Sequence, residues 1–163
     1  MMTFSIRPAD ENDASAIATI AQLSWQQTYA EIFPLAMITE FLSLAYSVDN
    51  LKKRIQNDQN KQTRLFLVAT TVSNEIVAFA QATPDKNLTG SYELIRIYAK
   101  PDFFGTGVGK ALFDHFLTHV EDLRELNAWV EAKNQVGQAF FTNEMALMPL
   151  VKRQKPFLDI LQS

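Results

Sequence analysis

The sequence predicts an α/β fold, a single domain over residues 1–163 built on a mixed β-sheet. Three observations predict it. Leu65–Thr70, Ile76–Ala82 and Tyr92–Ala99 are apolar, partly β-branched runs of strand length. Apolar residues at helical spacing fill the chain before these runs and again over 110–123. Finally, Tyr92–Ala99, the glycine-rich turn Gly105–Gly109, the helix after it and the short run Asn127–Glu131 make a strand–helix–strand unit, whose two strands are expected to be parallel.

Taken in order, Phe4–Arg7 reads as an opening strand that stops at Pro8. Asp10, Asn12 and Asp13 supply N-cap oxygens to a first helix. That helix carries Ile17, Ile20, Ala21 and Leu23 and runs toward Trp25 and Tyr29. A second helical region follows Pro34 with Met37, Ile38, Phe41 and Leu42 on one face, and continues after a break through Leu51 and Ile55. Val72–Glu75 joins two strands as an antiparallel hairpin, and Pro84–Gly90 is a polar loop. After the glycine turn, Leu112, Phe113, Phe116, Leu117, Val120 and Leu123 form a wide apolar stripe, as for a helix packed on a sheet. Another helix starts near Gln135 and passes through Phe140-Phe141; in the tail, Phe157–Leu161 reads as a last strand.

Composition narrows the classes. The chain is 47% hydrophobic and 20% charged, as for an ordinary soluble globular protein. No apolar stretch approaches the ~20 residues that span a bilayer, and the N-terminus lacks the layout of a secretory signal, so no membrane partner is expected. The absence of cysteine excludes disulfides, thiolate zinc sites and a cysteine nucleophile, and fits a cytoplasmic setting. A net charge of −3 argues against a nucleic-acid partner.

The glycine turn carries the chemistry. Gly105, Gly107 and Gly109 lie where a strand passes into a helix, an arrangement that presents backbone N–H groups and the positive end of a helix dipole to an anion. A Walker loop is excluded, because Gly109-Lys110 is followed by Ala111 and not by a hydroxyl residue. The dinucleotide fingerprint fits poorly, since the glycines alternate and the unit lies past mid-chain. A structural turn would need fewer glycines.

Other candidates stand beside it. Glu93 opens the strand that feeds the glycine turn, either as an exposed strand end or as a general base beside a phosphate-cofactor site. Trp25 and Tyr29 lie one helical turn apart, either an aromatic pair in the core or a wall of a substrate pocket. His115 and His119 have metal-compatible spacing but no third ligand, and read as part of a solvated face. Lys52-Lys53-Arg54 likewise reads as a solvated face.

With these residues in place, Glu93–Pro101 followed by Phe104–Gly109 resembles motif A of the GNAT superfamily of N-acetyltransferases: a strand ending in an Ile-Tyr-Val-like triplet, a proline, and Q/R-x-x-G-x-G/A opening a helix. Ile6–Ala9 resembles the family's first strand, and Trp25–Tyr29 with Pro34 is similar to the acceptor-side helices of its diamine and small-amine branch. Trp129–Glu131, Asn134 and Phe140-Phe141 are similar to motif B.

The resemblance implies a GNAT-like fold, a mostly antiparallel mixed sheet with a central splayed parallel pair and flanking helices. It implies an acetyl-CoA-dependent N-acetyltransferase acting on a primary amine of a small molecule, with diamines and polyamines the favoured class, or else a weakly catalytic CoA-binding regulatory module. The amides of Gly105, Thr106, Gly107, Val108, Gly109 and Lys110 would hold the CoA pyrophosphate. The main chain of Ile97, Tyr98 and Ala99 would pair with the pantetheine arm, and Asn134 would contact it. Glu93 would be the base, and Trp25 and Tyr29 would line the acceptor site, with Glu31, Glu40 and Asp49 as further acceptor-side carboxylates. No metal is implied. Many members of the family dimerise, so the resemblance allows a homodimer, although no residue of the sequence specifies one. The chain departs from the pattern at three places. Phe104 replaces the usual Gln or Arg but leaves the amides intact; Phe141 replaces the Tyr that usually protonates the departing thiolate; and the tail lacks the usual Gly-Phe pair.

Overall fold

The computed structural model describes residues 2–131 and 150–155. Among the described residues, six strands form one sheet in chain order: β1 (Ser5–Pro8), β2 (Phe66–Thr70), β3 (Ile76–Pro84), β4 (Ser91–Ala99), β5 (Glu125–Glu131) and β6 (Leu150–Lys155). The first four make an antiparallel meander, whereas β4–β5 and β5–β6 are parallel. Four α-helices among the described residues flank the sheet: α1 (Ala14–Tyr29), α2 (Leu35–Ala45), α3 (Val48–Gln59) and α4 (Val108–His119). The mixed sheet and its strand–helix–strand unit are those the sequence predicts.

Strand alternation sorts the core into two layers. Leu67 and Ala69 of β2 join Ala78 and Ala80 of β3 against Leu112, Phe113 and Phe116 of α4. Phe66, Val68 and Phe79 face the other way, against Ile17, Ile20, Leu51 and Ile55 of α1 and α3. Helices thus cover both faces of β2, and all five of its residues are buried. That is why it reads as an unbroken apolar run.

Local chemistry fixes the ends of the helices. A capping box joins Asp10 and Asp13 ahead of α1, and the Arg7 guanidinium closes on Asp13 through two hydrogen bonds of 2.8 and 2.9 Å. The Ser47 hydroxyl caps α3 by accepting from the Asn50 amide, which makes α3 a separate helix. In the β2–β3 turn, Asn74 takes a left-handed φ of 69°, a conformation asparagine tolerates.

Some boundaries differ from the sequence expectation. The helix expected over 110–123 stops at His119, because Val120 turns extended and the amides of Arg124 and Glu125 then bond to the Gly90 carbonyl. This starts β5 at Glu125, two residues before Asn127. Leu23, expected on the buried face of α1, is 40% exposed. The described final strand, β6, lies between Pro149 and Pro156 in a polar run without a strand signature. The strand expected at 157–161, the helix from Gln135, and Asn134, Phe140 and Phe141 lie outside the described residues.

Candidate active site

The parallel pair β4–β5 is short. It joins Ser91–Leu94 to Glu125–Ala128 and goes no further, although both strands continue. Beyond Leu94 the strands part, and β4 keeps hydrogen-bonded company only with β3. Among the described residues, the splay leaves one edge of Ile97, Tyr98 and Ala99 free to pair with an extended arm, as an added strand would.

A bulge sits where the splay begins. Gln81 pairs with Arg96 and Ala82 with Leu94, so Ile95 is the extra residue. It inverts the alternation of β4. Tyr92 and Leu94 pack on the α4 layer before the bulge, Ile97 and Ala99 do so after it, and Tyr98 turns to the α1–α3 layer. Glu93, between Tyr92 and Leu94, therefore faces the α1–α3 side, as do Arg96 and Tyr98.

The strand leads into the glycine turn. Gly105 and Gly107 take φ of 74° and 87°, the left-handed region that favours glycine, and a Cβ on either would meet nothing within 4 Å. The glycines thus set the backbone path and leave open space beside it. Gly107 is the N-cap of α4 and no side chain caps the helix. The first-turn amides of Val108, Gly109 and Lys110 consequently have no intrahelical acceptor and can bind an anion. The Lys110 ammonium lies on the helix surface, 2.7 Å from Asp114. An unpaired strand edge leading to an uncapped helix start fits CoA, with its extended arm and its pyrophosphate.

On the opposite face, Glu93 is half-buried and in register with Thr83 of β3 and Asn127 of β5. It makes no ion pair with a described residue. The Asn127 amide donates to the Ser91 hydroxyl at 3.1 Å, which in turn donates to Glu125 at 2.8 Å. This holds the Asn127 side chain in place, while its Oδ1 is buried without a hydrogen-bond partner among the described residues. A half-buried carboxylate with no ion-pair partner among the described residues is equipped to take a proton from an amine. Sequence reading missed Ser91 and Asn127. The available signal was a pair of polar residues at alternate positions, Ser91-x-Glu93 and Glu125-x-Asn127, in otherwise apolar strands.

Trp25 and Tyr29 are buried, at 1% and 6% exposure, with ring centroids 4.3 Å apart. With Ile38, Phe33 and Phe41 they form an aromatic cluster that reaches Tyr98. Burial first, then the neighbouring Tyr46 and Tyr29, push the Tyr98 hydroxyl well above the usual phenol range, so it stays protonated. Glu31, Glu40 and Asp49 are exposed on the helical layer. The rings of His115 and His119 stack 3.8 Å apart on α4, and burial, then His119, lowers the pKa of His115. No group of three metal-ligating residues occurs among the described residues.

Comparison with known proteins settles the family. The acetyltransferase (GNAT) family matches residues 17–145. The chain belongs to this family. It is similar to the spermidine N(1)-acetyltransferase of Thermoplasma acidophilum, 28% identical over 142 residues that make up 86% of each chain. In fold it is similar to the PaiA N-acetyltransferase of the same organism, solved in complex with coenzyme A. There the TM-score is 0.77 and the identity 26%, over 88% of this chain and 89% of that one. An acetyltransferase from Thermus thermophilus shares the fold, with a TM-score of 0.66 and 18% identity over 88% of each chain. The protein is an N-acetyltransferase that uses acetyl-CoA. No helix among the described residues is long and apolar enough to cross a membrane.

Proposed function

We propose that this GNAT member acetylates a primary amine of a small molecule, with Glu93 as the general base. The observation that carries the reading is the half-buried Glu93 carboxylate at the mouth of the splay, in register with the unpartnered Oδ1 of Asn127. An alkyl amine near pKa 10.4 is neutral in only about one molecule in 10³ at pH 7. A positioned base that takes the proton is worth roughly 10²–10⁴ in rate.

The amides from Gly105 to Lys110 hold the cofactor pyrophosphate, and the free edge at Ile97–Ala99 holds its arm, with Asn134 a further contact. Bound there, acetyl-CoA supplies an activated acyl group. The chain's part is to fix the amine against it and to remove the proton. A thiol leaving group with pKa near 8.5 needs little acid assistance at neutral pH, so water suffices where the family's Tyr is replaced by Phe141. Trp25 and Tyr29 form the wall behind Tyr98. The name of the Thermoplasma relative makes diamines and polyamines the first acceptors to test. A single domain over 1–163, a cytoplasmic setting and a homodimer go with the same reading, by resemblance to the family.

Calorimetric titration with acetyl-CoA, joined to a thiol-release assay over a panel of small amines, tests it. Binding with amine-dependent release is expected. Tight binding with no release across the panel would instead indicate a CoA-binding regulatory module, and absence of both would overturn the assignment.

A further inference from the structure

The acceptor face carries charge of the opposite sign as well. The bulge at Ile95 turns Arg96 to the same face as Glu93, away from α4 and its phosphate-binding turn. Its guanidinium carbon lies 5.4 Å from the centre of the Tyr46 ring, and its Nε is buried without a hydrogen-bond partner among the described residues. Helix α3 brings Arg54 to Ala45, the residue next to Tyr46. Sequence reading placed Arg54 on a solvated face with Lys52 and Lys53; those two are exposed, but Arg54 is half-buried and donates to the Ala45 carbonyl at 3.1 Å. Burial, followed by the like charge of Arg96, lowers the pKa of Arg54. Neither arginine has a carboxylate within ion-pair distance among the described residues. Opposite Arg96 in β3 stands Gln81, whose Oε1 is also buried without a partner among the described residues.

Two neighbouring guanidiniums, partly desolvated and without a counterion, repel each other and gain strongly from an anion set between them. We infer that Arg54 and Arg96 form an anion subsite of the acceptor pocket, so that the preferred acceptor is an amine bearing a carboxylate or phosphate group. The inference rests on the reading of the Glu93 face as the acceptor side, and it narrows that reading against polycations. The cofactor's pyrophosphate is served on the other face, at the start of α4. A diamine would bring two positive charges toward two arginines, with Glu93 the carboxylate to offset them. Glu93 and Arg96 are three residues apart on one strand, so at most ~10 Å separates their positions along it. A short ω-amino acid or aminoalkyl phosphate spans that interval, with its amine at Glu93 and its anion at the arginines.

Two measurements on the CoA-saturated protein test this. In calorimetry, glutarate and inorganic phosphate carry the anion without the amine. At least one of them is expected to bind, and at least tenfold more weakly to Arg96→Gln and Arg54→Gln; which one binds tells carboxylate from phosphate. In kinetics, 4-aminobutyrate or 2-aminoethyl phosphate is expected to exceed 1,4-diaminobutane at least tenfold in kcat/KM. Arg96→Gln should remove that preference through KM, and Arg96→Lys should restore part of it. Arg96→Gln gives up its contact with Tyr46 and Arg54→Gln its hydrogen bond to Ala45, so recovery of part of the KM effect and of anion binding by Arg96→Lys, at the Tm of Arg96→Gln, is the readout that separates the subsite from a structural role. Failure of both anions to bind, equal binding to the variants, or preference of the wild-type protein for the diamine would each overturn the inference. Arginine-dependent anion binding with no acetylation of any amine would uphold the subsite and overturn the proposed function.

Discussion

The two faces of the sheet are built from different material. Toward α4, β2 and β3 present Leu67 and the small side chains of Ala69, Ala78, Ala80 and Ala82, which meet Phe113 and Phe116 of the helix. Toward α1–α3 the same strands present Phe66, Val68 and Phe79, and β4 adds Tyr98 to a ring cluster with Tyr46 and Trp25. The α4 face works through main chain: a strand edge, two left-handed glycines and a bare helix start. The other face works through side chains gathered from β3, β4, β5, α2 and α3. Binding a cofactor common to a family suits the first, since backbone amides recognise phosphate whatever the neighbouring side chains are. Choosing an acceptor suits the second.

The largest break in this contrast is expected at Gly107. Gly107→Glu sets a carboxylate beside the amides proposed to hold pyrophosphate, and CoA affinity should fall more than 100-fold by calorimetry. A Cβ at Gly107 meets no atom within 4 Å, so the cost to folding is confined to left-handed strain of ~1–2 kcal/mol. Gly107→Ala carries the same strain without the charge, and should keep CoA affinity within a few-fold. If both variants lose affinity equally, backbone geometry and not charge is the determinant. Glu93→Gln should break the other face. With acetyl-CoA affinity unchanged, kcat should fall roughly 10²–10³-fold. A parallel loss of cofactor affinity would place Glu93 on the wrong side of the contrast.

Legibility in the sequence follows the same division. The glycine turn, the preceding strand and the helix after it are contiguous, so Glu93–Gly109 was readable as one motif. The core layers were readable wherever a face was covered, as in β2. The Ser91–Asn127 pair was not, because parallel register brings together residues 36 apart and no local pattern announces it. Arg54 was misread because α3 carries Lys52-Lys53-Arg54 as one run, and only the turn of the helix moves the third residue inward. The bulge at Ile95 also escaped the sequence. A run such as Leu94-Ile95-Arg96-Ile97 shows no break in β propensity, yet the extra residue decides which face Arg96 takes.

A smaller effect is expected where β1 meets α1, far from either binding surface. Asp13 accepts two hydrogen bonds from Arg7 and one, at 2.8 Å, from the Asp10 amide. Burial alone would raise its pKa, but the Arg7 hydrogen bonds, the Asp10 amide and the Arg7 charge outweigh it and hold the carboxyl below its ordinary value. A depressed folded pKa stabilises the protein fully above the unfolded value near 3.9, and this is lost as pH falls through the folded value. Asp13→Asn should cost ~2 kcal/mol in denaturant titration at pH 7 and make stability less steep in acid. CoA affinity should not change.

The smallest effect concerns the strand that the two faces share. The Tyr92 hydroxyl donates to Asp122 at 2.6 Å, tying β4 to the connection between α4 and β5 just where the parallel pair begins. Burial, and then Asp122, push its pKa up to about 12. Here the folded value lies above the unfolded value near 10, so the stabilisation is whole below pH 10 and is lost as pH rises toward 12. Because the bond is solvent-exposed, screening holds its worth below ~1 kcal/mol. Tyr92→Phe should therefore flatten the alkaline limb of the stability curve by that amount. Tyr92 packs on the α4 layer while Glu93 faces away from it, so the acceptor KM should stay within twofold. A larger change in KM would mean that the tie at Asp122 sets the splay itself, and the two faces would then be coupled through β4.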